Sequence, residues 1–178
     1  VAVSDVHGGI FSGDGLDFLS VAKHVKETGS VVGCSGTEPI SNADLLICDC
    51  EVLIPAAIGH VLTNNNARDV KAQYVIEAAN GPCTAEADDI FRSRDVLCVP
   101  DIFANAGGVT VSYFEWAQNI QKYKWSESKI NDELEQHMVD AHAKLRRVMN
   151  VYSIPMRTAA FAYAVNKVKQ ATEARGLE

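Results

Sequence analysis

Apolar residues follow two different rhythms along this chain. Up to about residue 100 they come in short β-branched runs, at 1–5, 30–34, 51–55, 73–77 and 96–100, each of which reads as a strand. Between these runs the spacing predicts helices over 16–28, 64–70 and 84–92, with a helical turn over 42–47. Gly29 suits the C′ position of the first helix, and His7-Gly8-Gly9 and Asp14-Gly15 read as turns. Beyond Trp116 only the helical rhythm remains. Ile130, Leu134, His137, Ala141, Leu145 and Val148 recur at spacings of three and four, which predicts a long helix with His137 as a packed, hydrogen-bonded core histidine. Pro155 then fits the first position of a last helix, reaching about Ala174, with Ala160, Ala164 and Val168 on one face.

Short strands alternating with helices predict an α/β fold, a parallel sheet covered by helices on both faces. In such sheets ligands bind beyond the carboxyl ends of the strands. Asp5, Pro55-Ala56-Ala57, Asn80 and Pro100-Asp101 all occupy such ends and are expected to converge. The segment D-I-F-A-N-A-G-G-V-T-V-S-Y-F-E-W at 101–116 adds a second signal. Asn105 has N-cap chemistry, yet Gly107 and Gly108 fall in the helix's opening turn, where each costs about 1 kcal/mol relative to alanine. Two glycines there imply that something approaches the backbone closely, and a helix N-terminus favours polar or anionic groups.

Composition narrows the classes. The 178 residues can bury a full core, so one domain, or a domain with an appendage, is expected. A formal charge of −7 argues against nucleic acid or an anionic membrane as partner. No apolar run approaches the roughly 20 residues of a membrane span. Cys34, Cys48, Cys50, Cys83 and Cys98 are odd in number and irregularly spaced, which favours free thiols in a reducing compartment. Cys48-Asp49-Cys50 has no second half to complete a metal site, so no metal is expected.

A dinucleotide-binding domain opens with a strand, a G-x-G-x-x-G turn, a helix and a second strand ending in an acid. Residues 1–5 fit that second strand, and no turn of that form follows it. The expectation is a Rossmann-like doubly wound parallel sheet, truncated at its N-terminal side, with a C-terminal helical tail. The chain then reads as the C-terminal part of a longer protein: 1–122 a partial NAD(P)-binding domain, 123–178 a helical segment.

These residues resemble the glutamate dehydrogenase family. The resemblance is carried by V-A-V-S-D at the start, D-G-L-D at 14–17, L-I-P-A-A at 53–57, E-A-A-N-G-P at 77–82 and A-E-A-D at 85–88. Pro100-Asp101, N-A-G-G-V-T-V-S-Y-F-E-W at 105–116 and M-R-T-A-A at 156–160 complete it, so that it extends from residue 1 to about 174. It implies reversible, NAD(P)-dependent oxidative deamination of L-glutamate to 2-oxoglutarate and ammonia. It further implies that Asn80 and Asn105 contact the nicotinamide ribose and carboxamide, and that the Ala56-Ala57 backbone lines the cofactor channel. Ser112 would bond the substrate's side-chain carboxylate, with Val109 beside its methylenes. Asp5 would bind the adenosine ribose hydroxyls and repel a 2′-phosphate, which favours NAD over NADP.

Val109, Ser112 and Trp116 share one helix face, and a hydroxyl beside glycines suits a carboxylate. The residues alone also allow Ser112 to bond its own backbone and Asn80 to be an ordinary turn residue before Gly81-Pro82. Ala78 and Cys83 depart from the family, which usually has Gly and Thr there. The family's catalytic lysine and aspartate lie in an N-terminal domain, so no catalytic residue is expected here and these residues alone are expected to be inactive. The resemblance implies a homo-hexamer for the full-length protein, in the cytoplasm or mitochondrial matrix. Two alternatives stay open: a dehydrogenase of another amino acid, and a non-catalytic dinucleotide-binding or regulatory module.

Overall fold

The computed structural model describes residues 1–176; Leu177 and Glu178, the end of the segment 123–178, lie outside the described residues. Strands β1 (Ala2–Asp5) and β2 (Gly8–Phe11) precede helix α1 (Phe18–Thr28), strand β3 (Glu38–Ile40) and helix α2 (Asn42–Leu46). Strands β4 (Val52–Leu53) and β5 (Tyr74–Ile76), helix α3 (Ala85–Ser93) and strand β6 (Leu97–Val99) follow. The rest is helical: α4 (Asp101–Ala104), α5 (Ala106–Gln121), α6 (Glu127–Tyr152) and α7 (Met156–Ala174). One sheet has the order β1-β2-β3 and the other β4-β5-β6. In the second, β4 and β5 run parallel, Val52 opposite Tyr74 and Leu53 opposite Val75. The chain is thus a mixed α/β protein with a parallel sheet, but residues 1–5, expected as a strand of that sheet, pair antiparallel with β2 instead, because the two-residue turn at Val6-His7 leaves no room for a crossover.

By its internal contacts the chain divides into two compact units. The first comprises Val1–Leu53, His60–Val75 and Cys83–Leu97; the second comprises Ile54–Gly59, Ile76–Pro82 and everything from Cys98 onward.

In the first unit β1 and β2 form an antiparallel pair, Asp5 opposite Gly8 and Ala2 opposite Phe11, and β2 pairs antiparallel with β3. The sequence hides both β2 and β3. Gly8-Gly9 reads as a turn, and Pro39 lies within β3. Packing explains Gly9: a Cβ there would stand 2.8 Å from the Ile40 side chain and 3.1 Å from its carbonyl oxygen. Helix α1 starts on Asp17, whose side chain accepts from the Leu19 N–H, and ends on Gly29 at φ 82°. Its Val21 and Val25 pack with Leu16 on buried Ile10, Val31 and Cys34.

Residues 30–34 are a turn, not a strand. Ser30 and Val31 donate to the Asp5 carboxylate and Gly33 adopts φ 80°, so this backbone bonds a side chain instead of a ladder. Residues 64–70 are consecutive turns, not a helix. The Asn66 side chain accepts from the Thr63 N–H and donates to the Val61 carbonyl, the local competition that keeps asparagine out of helices. Helix α3 forms as expected, its N-cap Thr84 accepting from the Ala87 N–H. It buries Ala87 and Phe91 completely.

In the second unit α4 packs on α5 and α7, and α6 packs on α5 and α7. Phe114 is the buried residue of α5, its ring 5.6 Å from Trp125 and 5.5 Å from His137. His137 itself is exposed and bonds the Glu133 carbonyl of its own helix, so the core position on this stripe belongs to Leu145. Pro155 is the N-cap of α7, one residue before the first helical position. Ala160 is buried, Ala164 half-buried and Val168 exposed, so α7 leaves the packed layer along its length. No helix among the described residues is long and apolar enough to cross a membrane.

Candidate functional site

Three segments of the second unit come together: 54–59 after β4, 76–82 at the end of β5, and 98–105 at the end of β6. The Ala79 N–H donates to the Pro55 carbonyl at 2.9 Å, and a Cβ on Gly59 would stand 3.0 Å from the Asn80 carbonyl oxygen. Alanine at 59 therefore would not fit without moving that turn. Asp101, at the start of α4, accepts from the Gly81 N–H at 2.8 Å. The expected cluster also included Asp5; the three ends of the second unit are together, and Asp5 lies in the first unit.

Beneath them lies a carboxylate that sequence reading passed over. Glu77 is fully buried. Its Oε2 accepts from the Asp101 N–H at 2.8 Å and from Arg157 Nη1 at 3.1 Å, while Oε1 accepts from Arg157 Nη2 at 2.5 Å. Arg157 Nη1 also lies 3.7 Å from Asp101 Oδ1. A buried carboxylate is tolerable only when paired and hydrogen-bonded, and a two-pronged guanidinium is the strongest such partner. Two signals were in the sequence: an acid ending the apolar run Y-V-I-E, and an arginine in the otherwise apolar M-R-T-A-A.

Above this base two asparagines meet. Asn105 Nδ2 donates to Asn80 Oδ1 at 2.7 Å. Asn105 was expected to cap α5; instead it joins α4 to α5 at φ −96° and makes no capping bond. The reason is upstream: Pro100 already starts a helical turn, which frees the Asn105 amide to bond Asn80. The bond leaves the Asn80 NH2 group and the Asn105 Oδ1 atom without a protein partner among the described residues. A donor and an acceptor side by side match a primary carboxamide, which offers one of each.

The glycines beside this pair have no packing reason. A Cβ on Gly108 would meet nothing within 4 Å, and one on Gly107 would make ordinary contact with Leu134 at 3.7 Å. Neither has a positive φ. The helix therefore gives up stability at an open surface, which is where a close-approaching ligand would require it. Ala56 and Ala57 are exposed nearby in sequence to Gly59, and Val109, Ser112 and Trp116 form an open face on α5. Ser112 donates its hydroxyl to the Gly108 carbonyl at 3.1 Å, so its lone pairs, not its proton, face outward in this conformation.

Asp5 belongs to the first unit, where it ends β1. Its Oδ1 accepts from the His7 N–H at 2.8 Å, and its Oδ2 from Ser30 Oγ at 2.7 Å and the Val31 N–H at 2.8 Å. These donors, the Ser30 hydroxyl first, hold its pKa down at about 2. A carboxylate has about four lone-pair positions, so this one has room for roughly one further donor. All five cysteines are free thiols. Burial, and then the neighbouring Cys48, push the Cys50 thiol up to about 11, which keeps it protonated and a poor ligand at neutral pH.

Comparison with known proteins agrees along the whole described chain. Residues 1–176 match the family Glutamate/Leucine/Phenylalanine/Valine dehydrogenase. The chain is 47% identical over 177 residues to NAD-specific glutamate dehydrogenase A of Halobacterium salinarum, covering 99% of this chain and 40% of that protein. Among solved structures it superposes on the hetero-hexameric glutamate dehydrogenase of Thermus thermophilus, in its Leu-bound form, with a TM-score of 0.92 at 29% identity, covering all of this chain and 42% of that one. The glutamate dehydrogenase of Peptoniphilus asaccharolyticus gives 0.80 at 29% identity, over 98% and 40% of the two chains. The chain thus spans about two fifths of the length of these relatives.

Proposed function

The chain belongs to the glutamate/leucine/phenylalanine/valine dehydrogenase family, and from that premise we propose that it is the cofactor-binding part of an NAD-dependent L-glutamate dehydrogenase. The observation that carries this reading is the Asn80–Asn105 pair beside a helix start left bare at Gly108. When bound, the dinucleotide supplies a hydride acceptor for the substrate's Cα, giving 2-oxoglutarate and ammonia after hydrolysis.

This chain's own residues would bind and orient the cofactor and part of the substrate. Asn80 and Asn105 would hold the carboxamide and ribose of the nicotinamide end, and the Ala56-Ala57 backbone would line the channel. Gly107 and Gly108 leave α5 without side chains where the ring approaches. Val109 and Ser112 would meet the substrate's methylenes and side-chain carboxylate, Ser112 by turning its proton away from the Gly108 carbonyl. Asp5 would take an adenosine ribose hydroxyl with its remaining lone pair, and its fixed negative charge disfavours a 2′-phosphate. The identity to an NAD-specific relative supports the same preference. Catalytic acid–base groups are assigned to the remainder of the full-length protein.

The fold reading extends in the same way. The parallel β4–β5 pair and the α3 crossover between β5 and β6 support a Rossmann-like doubly wound sheet. In functional terms, residues 1–122 make up the partial dinucleotide-binding domain and 123–178 the helical segment. Likeness to a hetero-hexameric relative supports a hexamer for the full-length protein; that its subunits are identical rests on the family resemblance alone.

The test is NADH formation by the full-length protein with L-glutamate, L-leucine, L-phenylalanine and L-valine in parallel, and then with NADP in place of NAD. Glutamate with NAD should give the highest kcat/KM. Turnover of leucine, phenylalanine or valine above glutamate would contradict the substrate, and equal use of NADP would contradict the cofactor preference.

A further inference from the structure

We infer that Glu77 and Arg157 are positioning residues for the nicotinamide end of the site, acting through Asp101 on the two asparagines. This rests on the dinucleotide reading above and assigns residues that reading does not use.

The argument starts from placement. Glu77 is fully buried, and Arg157 grips it from the first turn of α7, far away in sequence. If stability alone were at stake, well-packed apolar side chains would serve as well or better, because two charges must leave water to form the pair. What the pair adds is geometry. Glu77 Oε2 fixes the Asp101 N–H and so the starting point of α4, whose four residues lead directly into Asn105. The Asp101 carboxylate in turn fixes the Gly81 N–H, the peptide adjoining Asn80. Both asparagines therefore take their positions from one buried carboxylate, along two short paths of hydrogen bonds and backbone. Arg157 Nη1, 3.7 Å from Asp101 Oδ1, holds that second carboxylate toward Gly81.

A carboxamide reader made of two side chains works only while their separation is held. Displacements near 1 Å at a reacting centre cost on the order of 10²-fold. Glu77→Gln turns one acceptor into a donor that faces the guanidinium donors. Arg157→Lys keeps the charge but loses the two-pronged grip. Both substitutions should loosen the Asn80–Asn105 spacing before they affect any distant part of a dinucleotide.

The experiment uses the full-length protein and three readouts: the Kd of NAD, the Kd of ADP-ribose, which lacks the nicotinamide, and amide exchange at Gly81 without ligand. In Glu77→Gln and Arg157→Lys, NAD should bind about tenfold or more weakly, and ADP-ribose should stay within about twofold. The Gly81 amide should exchange faster. Loss of affinity for both ligands in parallel, or for neither, in a folded variant would overturn the inference. Should a single variant fail to fold, Glu77→Leu with Arg157→Met replaces the pair by apolar groups of similar bulk. That variant should fold, yet show the weakened NAD binding and fast Gly81 exchange; wild-type NAD affinity in it would overturn the inference. Wild-type protein that binds NAD no better than ADP-ribose points instead to failure of the nicotinamide reading, which removes this inference with it.

Discussion

Two carboxylates, one in each unit, are held in opposite ways. Asp5 is half-buried and surrounded by neutral donors, the Ser30 hydroxyl and the Val31 and His7 amides. Glu77 is fully buried and gripped by a guanidinium. Neutral donors stabilise the charge without cancelling it, so Asp5 stays negative and can still be addressed by a ligand. A guanidinium cancels the charge and uses the lone pairs, so Glu77 can only hold other parts of the protein in place. The same functional group thus serves recognition in one setting and architecture in the other, and burial together with partner charge decides which.

The largest effect should come from breaking the buried pair. Arg157→Met leaves Glu77 buried without its cation and should cost about 3–5 kcal/mol of unfolding free energy, read as a lower urea midpoint. A loss below about 1 kcal/mol would mean that water reaches Glu77 and that the contrast with Asp5 is one of degree.

Next in size is Gly108→Ala. With helical backbone and open space around it, alanine should stabilise the protein by roughly 0.5–1 kcal/mol, read as a higher midpoint. NAD binding should weaken at the same time. Gain in stability without loss of affinity would show that nothing approaches the bare helix start.

The pH dependence tests Asp5 directly. Its folded pKa is depressed to about 2, so its contribution to stability is fully present above the ordinary carboxylate value near 4 and is lost as pH falls toward about 2. The stability difference between wild type and Asp5→Asn should therefore be constant at neutral pH and shrink over that acid window. A difference that persists unchanged at the acid end would show that the amide loses something other than charge. The smallest effect is expected from Ser112→Ala. Removing a hydroxyl bonded to the Gly108 carbonyl should leave the midpoint nearly unchanged while raising KM for glutamate; an unchanged KM would make Ser112 a backbone-bonding residue only.

Much of this is legible in the amino-acid sequence itself. The helical rhythm beyond Trp116 gave α6 and α7, and Thr84 marked the start of α3 within a residue. Of the strand ends expected to converge, those around Pro55, Asn80 and Asp101 lie together in the second unit, whereas Asp5 ends β1 in the first. What was illegible has physical causes. Strands β2 and β3 carry Gly8-Gly9 and Pro39, residues that signal turns locally and are tolerated only because neighbouring strands fit around them. The 64–70 segment has helical spacing, but Asn66 spends its side chain on the backbone. Asn105 has the chemistry of a cap, and nothing local reveals that Pro100 has already begun the helix. Glu77 and Arg157 lie 80 residues apart, and their pairing exists only once the chain is folded.

The most direct test is NMR of the side-chain amides with nicotinamide mononucleotide, the nicotinamide half of the cofactor, added to the full-length protein. The Asn80 and Asn105 NH2 signals should shift together and saturate at one ligand concentration, whereas the Asn42 and Asn66 amides should stay in place. Shifts confined to other amides, with the Asn80 and Asn105 signals unmoved at saturation, would contradict the assignment of this pair as the carboxamide reader.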